Sequence, residues 1–444
     1  MTKNAPITWI PPATFNAELK GLGLPQLEGI EHRIIYHPKW SNANVDEGGN
    51  GVYESLEHGT FCHGPSPLVV GDHIVVTWTN HTRDEGGPGL RKISRVGRII
   101  DGGREIDFGG PERLTQVAAP PIPPRRRSFN VDPVTMWPYV GGSLNLISGK
   151  LYLMGSLTCA IGYTNGEQYR MTSGPVPEEH FRDSLDIEAG YNFDKWASLG
   201  FSFVQRFRIE GDHLVEDSPL YQRSPLIERF EVTPGRFKTT APLQEPYLSA
   251  IPFENAPSDF KKDVLEGVPE QRGRSPKFRD GEKHLSADGM HALAHASEFR
   301  RPDGSWVVIR DNLLNPGYYY ASEKPSADDY YPPGIETNLY GGANPAAGEL
   351  PDGRPFIVCN SFDDYYRAAD RSRKDMFFTI SRDGRVFDRT WLLLHDDGNP
   401  DGGIYKFGGP QYFRPLILGP NMWIFYSITK QREGLTKLPL DLLA

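Results

Sequence analysis

A short unit that begins with a tight turn and continues as a strand recurs along the chain, and it constrains the fold more than any other feature. In each copy a Gly, Asp, Asn or Pro turn precedes a run rich in β-branched and aromatic residues, which is typical of a strand that leaves a hairpin. The copies span residues 72–78, 149–154, 211–215, 303–309, 352–358 and 420–426. Their irregular spacing favours a degenerate β-propeller over a solenoid, whose repeats are shorter and more regular.

The predicted fold is therefore all-β. We expect a single β-propeller domain over residues 1–444 with seven blades, six being the alternative, and with residues 1–50 contributing to ring closure. The 47 Gly and 39 Pro supply many turns, and helices are predicted only at 258–268 and 178–189. The alternative of two β-sandwich domains would need a linker, and the sequence shows no obvious one.

Charge and cysteine usage exclude several function classes. The chain carries 48 Lys plus Arg against 57 Asp plus Glu, a formal charge of −9, which does not favour nucleic-acid or membrane partners. Its three cysteines, Cys62, Cys159 and Cys359, form no C-x-x-C motif or disulfide scaffold. Prolines interrupt the N-terminus where a signal peptide needs an apolar run. We expect a monomer or small homo-oligomer that is cytoplasmic as it stands, or secreted if a leader has been removed.

One hairpin motif carries a more specific fold signal. Residues 381–387 read SRDGRVF and are followed by Trp391, and they resemble the Asp box of sialidase-type propellers. In such a turn the Asp side chain accepts hydrogen bonds from backbone N–H groups while an aromatic residue packs beneath. The match departs from the pattern in that Gly384 directly follows Asp383, and Phe387 replaces the usual Trp. Asp boxes are structural, so this motif indicates fold rather than chemistry.

Two histidines lie near the first predicted blade. His63 stands in HGPS and His81 in NHTRDE, 18 residues later. One hairpin would place both at the ends of adjoining strands that open on one face. Two imidazoles there suit a proton-transfer pair or a ligand pair, and the alternative is that each caps a turn.

Together with LPDGR at 350–354, SRDG at 381–384 and Tyr426-Ser427, these histidine motifs resemble the propeller-fold polysaccharide lyases. The group includes ulvan lyases and rhamnose-glucuronate lyases, and the resemblance spans about residues 51–440. It implies cleavage of an acidic, uronic-acid-containing oligo- or polysaccharide by β-elimination, with a histidine pair, a tyrosine and an arginine around the uronate. The matching residues are His63, His81, Tyr191 and Arg206 as catalytic groups and Tyr247, Arg208 and His291 as substrate-binding groups. Tyr139 and Tyr163 are alternatives to Tyr191.

These residue types suit elimination. The C5 proton beside a uronate becomes acidic only when the carboxylate is neutralised, and the planar fork of an arginine can do this bidentately. A histidine can take the proton, and a tyrosine or second histidine can protonate the departing oxygen. This chemistry requires no cofactor, and a structural calcium or zinc ion is left open. His291 and His295 have the spacing of a helical metal pair, but residues 296–309 read as a blade hairpin, which favours a structural role.

Two other functions remain as alternatives. A sialidase-like glycoside hydrolase would need carboxylates and an arginine cluster. The sequence offers Asp84, Glu85, Asp311 and Glu336 as carboxylates, and Arg83, Arg206, Arg310 and Arg414 as arginines. A non-catalytic carbohydrate-binding propeller would use aromatic runs such as 318–320 and 330–331, which strand packing also explains. The lyase is preferred because the histidine motifs are better placed than any carboxylate pair.

Overall fold

The computed structural model describes most of the chain. The described residues are 5–39, 55–59, 61–81, 90–120, 129–131, 134–162, 195–224, 229–232, 235–238, 244–272, 276–279, 286–287, 293–312, 317–342, 344–361, 373–398 and 408–444. Regular structure in these ranges is almost entirely β-sheet, as predicted. All six predicted turn-strand units form strands.

The chain begins with two short strands and then builds its first sheet. The two strands are β1 (Thr8–Trp9) and β2 (Glu31–Tyr36). The first sheet contains β3 (Phe61–Val70), β4 (His73–His81), β5 (Arg91–Ile100), β6 (Glu105–Asp107) and β7 (Leu114–Ala118). Strands β3 to β6 follow one another in space as in sequence, and β7 also pairs with β5.

The second sheet is the longest in the described residues. It contains β8 (Phe129–Val131), β9 (Val134–Ile147), β10 (Lys150–Gly162), β11 (Lys195–Glu210), β12 (His213–Glu216), β13 (Tyr221–Ser224) and β16 (Ile251–Pro252). Along the chain, between β13 and β16, β14 (Arg229–Val232) and β15 (Gly235–Lys238) form a separate two-stranded sheet. The only α-helix of the described residues, α1 (Ser258–Arg272), confirms the helix predicted at 258–268. The helix predicted at 178–189 lies outside the described residues.

Three further sheets complete the molecule. The third contains β17 (Leu293–Arg300), β18 (Trp306–Asn312), β19 (Gly317–Lys324) and β20 (Ile335–Gly341). The fourth contains β21 (Ala346–Glu349), β22 (Pro355–Asn360), β23 (Asp375–Ser381) and β24 (Val386–His395), with β1 added in parallel to β24. The fifth contains β25 (Pro410–Leu418), β26 (Asn421–Ile428) and β27 (Arg432–Pro439), with β2 paired to β27.

The sheets are arranged as the blades of a β-propeller. The inner strands β9, β3, β25, β21 and β17 lie side by side in that order, and each blade extends outward from its inner strand. Apolar clusters fill the space between neighbouring blades. Trp78 of the first blade packs with Trp423 of the fifth, and Phe378 of the fourth packs with Tyr426 of the fifth. The described residues form five sheets of four or more strands, so the predicted count of seven or six blades is not confirmed.

The ring has two different ends. The turn end carries the short hairpin turns at residues 71–72, 148–149, 301–305, 350–354, 382–385 and 419–420. The open end carries the starts of the inner strands and the strand ends beside them, at residues 61–63, 80–81, 295, 310–312, 344, 359–361, 410–412 and 427–433. The Asp box lies at the turn end, where Asp383 Oδ1 accepts hydrogen bonds from the N–H groups of Arg385 at 2.8 Å and Val386 at 3.0 Å. Phe387 is fully buried beneath it.

Candidate active site at the open end

Three rings from three different blades meet at the open end. The ring of Tyr412, on β25, is half-buried, and its centre lies 3.9 Å from the centre of the His63 imidazole, on β3, in an edge-on arrangement. The centre of the His295 imidazole, on β17, lies 5.9 Å from the centre of the same tyrosine ring, and the two rings are perpendicular. The ammonium nitrogen of Lys430 is 5.6 Å from the centre of the Tyr412 ring. The Tyr412 ring therefore lies beside two imidazoles and an ammonium, groups of the kinds that exchange protons or stabilise a phenolate.

Irregular backbone brings these rings together. Each of the three inner strands has a register shift at this point, between His63 and Ser66, between Ala294 and Ser297, and between Gln411 and Arg414. β-Bulges of this kind redirect side chains and are common beside active sites. The backbone is also strained at the open end. Of the eight residues other than glycine that have positive φ in the described ranges, five lie there. The five are His295, Asn344, Tyr412, Thr429 and Lys430. Such conformations are costly and concentrate at functional sites.

A buried carboxylate fixes one imidazole. Asp311 is 1% exposed, and its Oδ2 lies 2.8 Å from His295 Nδ1 and accepts the backbone N–H of Asn344 at 3.0 Å. An imidazole that donates Nδ1–H to a carboxylate presents Nε2 as a proton acceptor. The His295 side chain is 40% exposed, so this nitrogen is open to a ligand. Asp311 Oδ1 and Asn344 Nδ2 are buried and have no hydrogen-bond partner among the described residues, so this pair keeps unused polar capacity beside His295.

A second buried acid supports the strand that carries His63. Glu433 is fully buried, and both its oxygens lie 3.2 Å from Ser427 Oγ, which accepts the N–H of Gly64 at 3.0 Å. Burial raises the pKa of the Glu433 carboxyl well above its ordinary value. The carboxyl therefore keeps its proton to a higher pH than an exposed glutamate does while it supports the strand that carries His63.

The predicted histidine pair lies at one end of the first blade. Phe61 is directly opposite His81, and His63 is opposite Thr79, so both histidines are at the open end of the β3–β4 hairpin. His63 is half-buried and faces Tyr412, whereas His81 is 2% exposed. Of the two, His63 is therefore the more accessible.

The structure does not bring Arg206 or Arg208 to these histidines, which corrects the predicted grouping. Arg206 lies opposite Tyr152, close to the turn at 148–149, and its Nε is 2.6 Å from Asp217 Oδ2. Arg208 lines a turn-end cleft with Val70 and Gly71. Val70 is the last residue of β3 and His63 lies near its start, seven residues earlier. Because a strand rises roughly 3.3 Å per residue, about 20 Å separates the two positions.

Tyr247 is also corrected, because it belongs to the core. It is 3% exposed, packs between Phe201 and Phe203, and donates its hydroxyl to the carbonyl of Ala119 at 2.7 Å. Burial raises the pKa of this phenol. The position therefore suits packing and not a substrate contact.

Several predicted residues lie outside the described residues. They are Tyr191, His291, Tyr163, Arg83, Asp84 and Glu85, together with the side chain of Tyr139. The sequence 296–309 does form the predicted β17–β18 hairpin. No group of three or more His, Cys, Asp or Glu side chains suited to a metal ion occurs in the part of the chain that the structure describes.

The hydrolase candidates are dispersed. Asp311 is in the site, but Glu336 is exposed on β20 at the outside of the third blade. Arg310 is 1% exposed, lies over the ring of Phe278 at 4.8 Å, and burial lowers its pKa to about 10. Arg414 is exposed on the inner strand β25. Of these candidate arginines, Arg414 lies two residues from Tyr412 and close enough to interact electrostatically with it, whereas Arg206 and Arg310 do not, so the candidates do not form a cluster of three.

Sequence reasoning missed Tyr412, Lys430 and Asn344. None stands in a recognised motif. Their placement depends on a bulge or on positive φ, and neither can be predicted from the residue type. Paired glycines at 408 and 409, just ahead of Tyr412, are a local sign of irregular backbone.

Comparisons with known proteins identify the fold. No protein-family model and no curated protein matches the sequence. Among solved structures the chain is similar to a protein named "Sialidase", with a TM-score of 0.60 and 14% identity over 98% of this chain. This chain spans 35% of that protein's length. The likeness shows a sialidase-like propeller fold, and the polysaccharide lyase type is not confirmed.

Two other similar structures are glycan-active proteins of comparable length. One is an intramolecular trans-sialidase from Ruminococcus gnavus, with a TM-score of 0.40 and 11% identity over 89% of this chain and 98% of that one. The other is an α-L-arabinofuranosidase from Podospora anserina, with a TM-score of 0.34 and 9% identity over 91% and 97%. In the part of the chain that the structure describes, no helix is long and apolar enough to cross a membrane.

Proposed function

We propose that this protein is an enzyme that cleaves a glycosidic bond, with Tyr412 as its central reacting group and His63 and His295 as its proton-transfer groups. The observation that carries the proposal is the convergence of these three rings on three bulged inner strands. A purely structural cluster would not need strained backbone at Tyr412 and His295.

Hydrolysis of the sialidase-like type is the first candidate chemistry. Sialidases are exceptional glycosidases in that their nucleophile is a tyrosine. A free phenol has a pKa near 10, so it needs a base beside it to react at neutral pH. In this proposal His295, held by Asp311, takes the phenol proton, and Lys430 stabilises the negative charge on the ring.

Elimination on a uronate-containing glycan is the second candidate, and one observation favours it. Asp311 and Glu433 are both buried, so neither carboxylate reaches a substrate directly. The accessible groups are imidazoles and a phenol, which suit removal of a C5 proton and protonation of the leaving oxygen. The cation that neutralises the uronate is not among Arg206 and Arg208, since both lie at the turn end.

The products distinguish the two chemistries. The protein is incubated in heavy-oxygen water with sialyl-lactose, arabino-oligosaccharides and glucurono-oligosaccharides. Hydrolysis yields saturated products labelled at the new reducing end, whereas elimination yields unlabelled products that absorb in the ultraviolet. Tyr412→Phe should reduce either activity by about 10²-fold or more, and Tyr330→Phe, at a tyrosine 56% exposed, should leave it unchanged. If none of these glycans is cleaved although at least one binds, the carbohydrate-binding propeller replaces the enzyme.

A further inference from the structure

A cleft of about 530 Å³ lies at the outside of the third and fourth blades, where the N-terminal segment crosses them. We call it the outer cleft, and it is lined by Trp9, Phe15, Tyr318, Glu336, Asn338 and Tyr340, with other residues of the segment 5–17. The reaction proposed above for the open end does not use it.

The walls of the outer cleft are fixed on both sides. Strand β1 pairs with β24, so the segment is bound to the fourth blade. The Asn338 side chain accepts the N–H of Trp9 at 2.8 Å and donates to its carbonyl at 2.7 Å, which binds the segment to the third blade as well. The cleft is therefore preformed, as ligand pockets usually are.

Aromatic faces and one carboxylate line this preformed space. Tyr318 and Tyr340 are cross-strand partners on β19 and β20, and Tyr340 packs against Phe15 at 5.7 Å. Tyr318 is 48% exposed, although its neighbour Tyr319 is fully buried. Glu336 precedes Tyr340 by four residues on β20, and its Oε2 accepts the hydroxyl of Tyr320 at 2.9 Å. An exposed tyrosine beside an oriented carboxylate is not explained by strand packing.

We propose that the outer cleft is a binding subsite for sugar units of the glycan chain, remote from the bond that reacts. A sugar ring has an apolar C–H face that packs on an aromatic ring and hydroxyls that donate to a carboxylate. Tyr318 supplies the ring and Glu336 the acceptor. The volume lies within the range of small-ligand pockets.

The position relative to the candidate active site supports this assignment. Tyr340 precedes Asn344 by four residues, which limits the distance between their Cα atoms to roughly 14 Å. Asn344 binds Asp311, and Asp311 holds His295 beside Tyr412. The inference rests on the proposed function and deepens it, because a remote subsite makes the substrate an oligo- or polysaccharide and not a single-sugar glycoside.

Calorimetric titration of the full chain tests the subsite without any turnover. In a Tyr412→Phe background, the probes are arabino-oligosaccharides and glucurono-oligosaccharides of two and six units. We expect at least one hexasaccharide to bind about tenfold more tightly than its disaccharide. Tyr318→Ala should remove that preference, and Glu336→Gln should reduce it. Tyr330→Ala is the matched control, because it removes a similarly exposed tyrosine that does not line the cleft.

Each outcome decides one question. A length preference that is the same in Tyr318→Ala and Tyr330→Ala overturns the subsite, as does the lack of any length preference in the parent. If Tyr318→Ala removes the preference but the protein with Tyr412 intact cleaves no glycan, the subsite stands and the proposed function fails. Circular dichroism confirms that Tyr318→Ala is folded, and Glu336→Gln provides the same test if it is not.

Discussion

The open end and the turn end of the propeller use polar groups and backbone strain in opposite ways. At the turn end, positive φ falls mainly on glycines such as Gly71 and Gly353, with Ser148 as an exception, and charges pair on the surface, as between Arg98 and Asp212 at 2.5 Å. At the open end, positive φ falls on Tyr412 and His295, and carboxyls are buried. Ion pairs on the surface add little to the free energy of unfolding, and burying a carboxyl lowers it. The contrast indicates that the turn end maintains the fold and the open end is organised for chemistry.

The largest effect should follow from removing one hydroxyl at the open end. Tyr412→Phe keeps the ring that packs against His63, so we expect kcat to fall about 10²- to 10⁴-fold with little change in the free energy of unfolding. The core variant Tyr247→Phe should do the reverse. It removes the hydroxyl donor from the half-buried carbonyl of Ala119, which costs about 1 kcal/mol of stability and leaves kcat unchanged. A Tyr412→Phe protein with half the parent kcat would contradict the proposed site.

The buried acid at the open end should make stability fall as pH rises. Because burial raises the pKa of Glu433, the folded protein keeps a proton that the unfolded chain releases above about pH 4.3. The stability that this group contributes is complete below that pH and declines by about 1.4 kcal/mol per pH unit until the folded pKa is passed. Glu433→Gln should reduce the decline between pH 5 and 8 in urea unfolding. Glu210→Gln, at an exposed turn-end site, is the control and should leave it unchanged.

Asp311 should matter for turnover and less for substrate affinity. Asp311→Asn removes the anion that orients His295, so we expect kcat to fall on the order of 10–100-fold with KM nearly unchanged. Asp303→Asn makes the same replacement at the turn end, where the side chain is half exposed, and it should leave both constants unchanged. Equal kinetics for the two variants would exclude the His295–Asp311 pair from catalysis.

How far the sequence predicted this molecule also differs between the two ends. The turn-end hairpins were predictable because glycine and aspartate turns fix local geometry, and the Asp box at 381–387 matches its expected hydrogen bonds. The open-end site was only partly predictable. His63 was found from its motif, but Tyr412 and His295 meet through bulges on strands more than 100 residues apart. Motif spacing does not encode such convergence, and the same limitation explains why Arg206 was grouped with the histidines.

The Asp box provides a test of the turn end alone. Asp383→Ala removes the acceptor for two backbone N–H groups, so we expect the free energy of unfolding to fall by about 1 kcal/mol and kcat to stay the same. Asp352→Ala removes a backbone bond of one residue only, that of Arg354, and should have a smaller effect. A loss of activity in Asp383→Ala at full stability would show that the two ends are coupled.

The smallest effect is expected at Arg206, and it is the most direct test of the contrast between the ends. Arg206→Lys keeps the charge but loses the Nε contact with Asp217 and part of the packing over Phe260, whose ring centre is 5.7 Å away. Because this arginine is partly exposed at the turn end, we expect a stability change below about 1 kcal/mol and a kcat within about twofold of the parent. Arg208→Lys should behave in the same way. A large fall in kcat for Arg206→Lys in a folded protein would instead place a uronate at the turn end, since an ammonium cannot reproduce the two-pronged contact of a guanidinium with a carboxylate. The proposed active site at the open end would then be wrong.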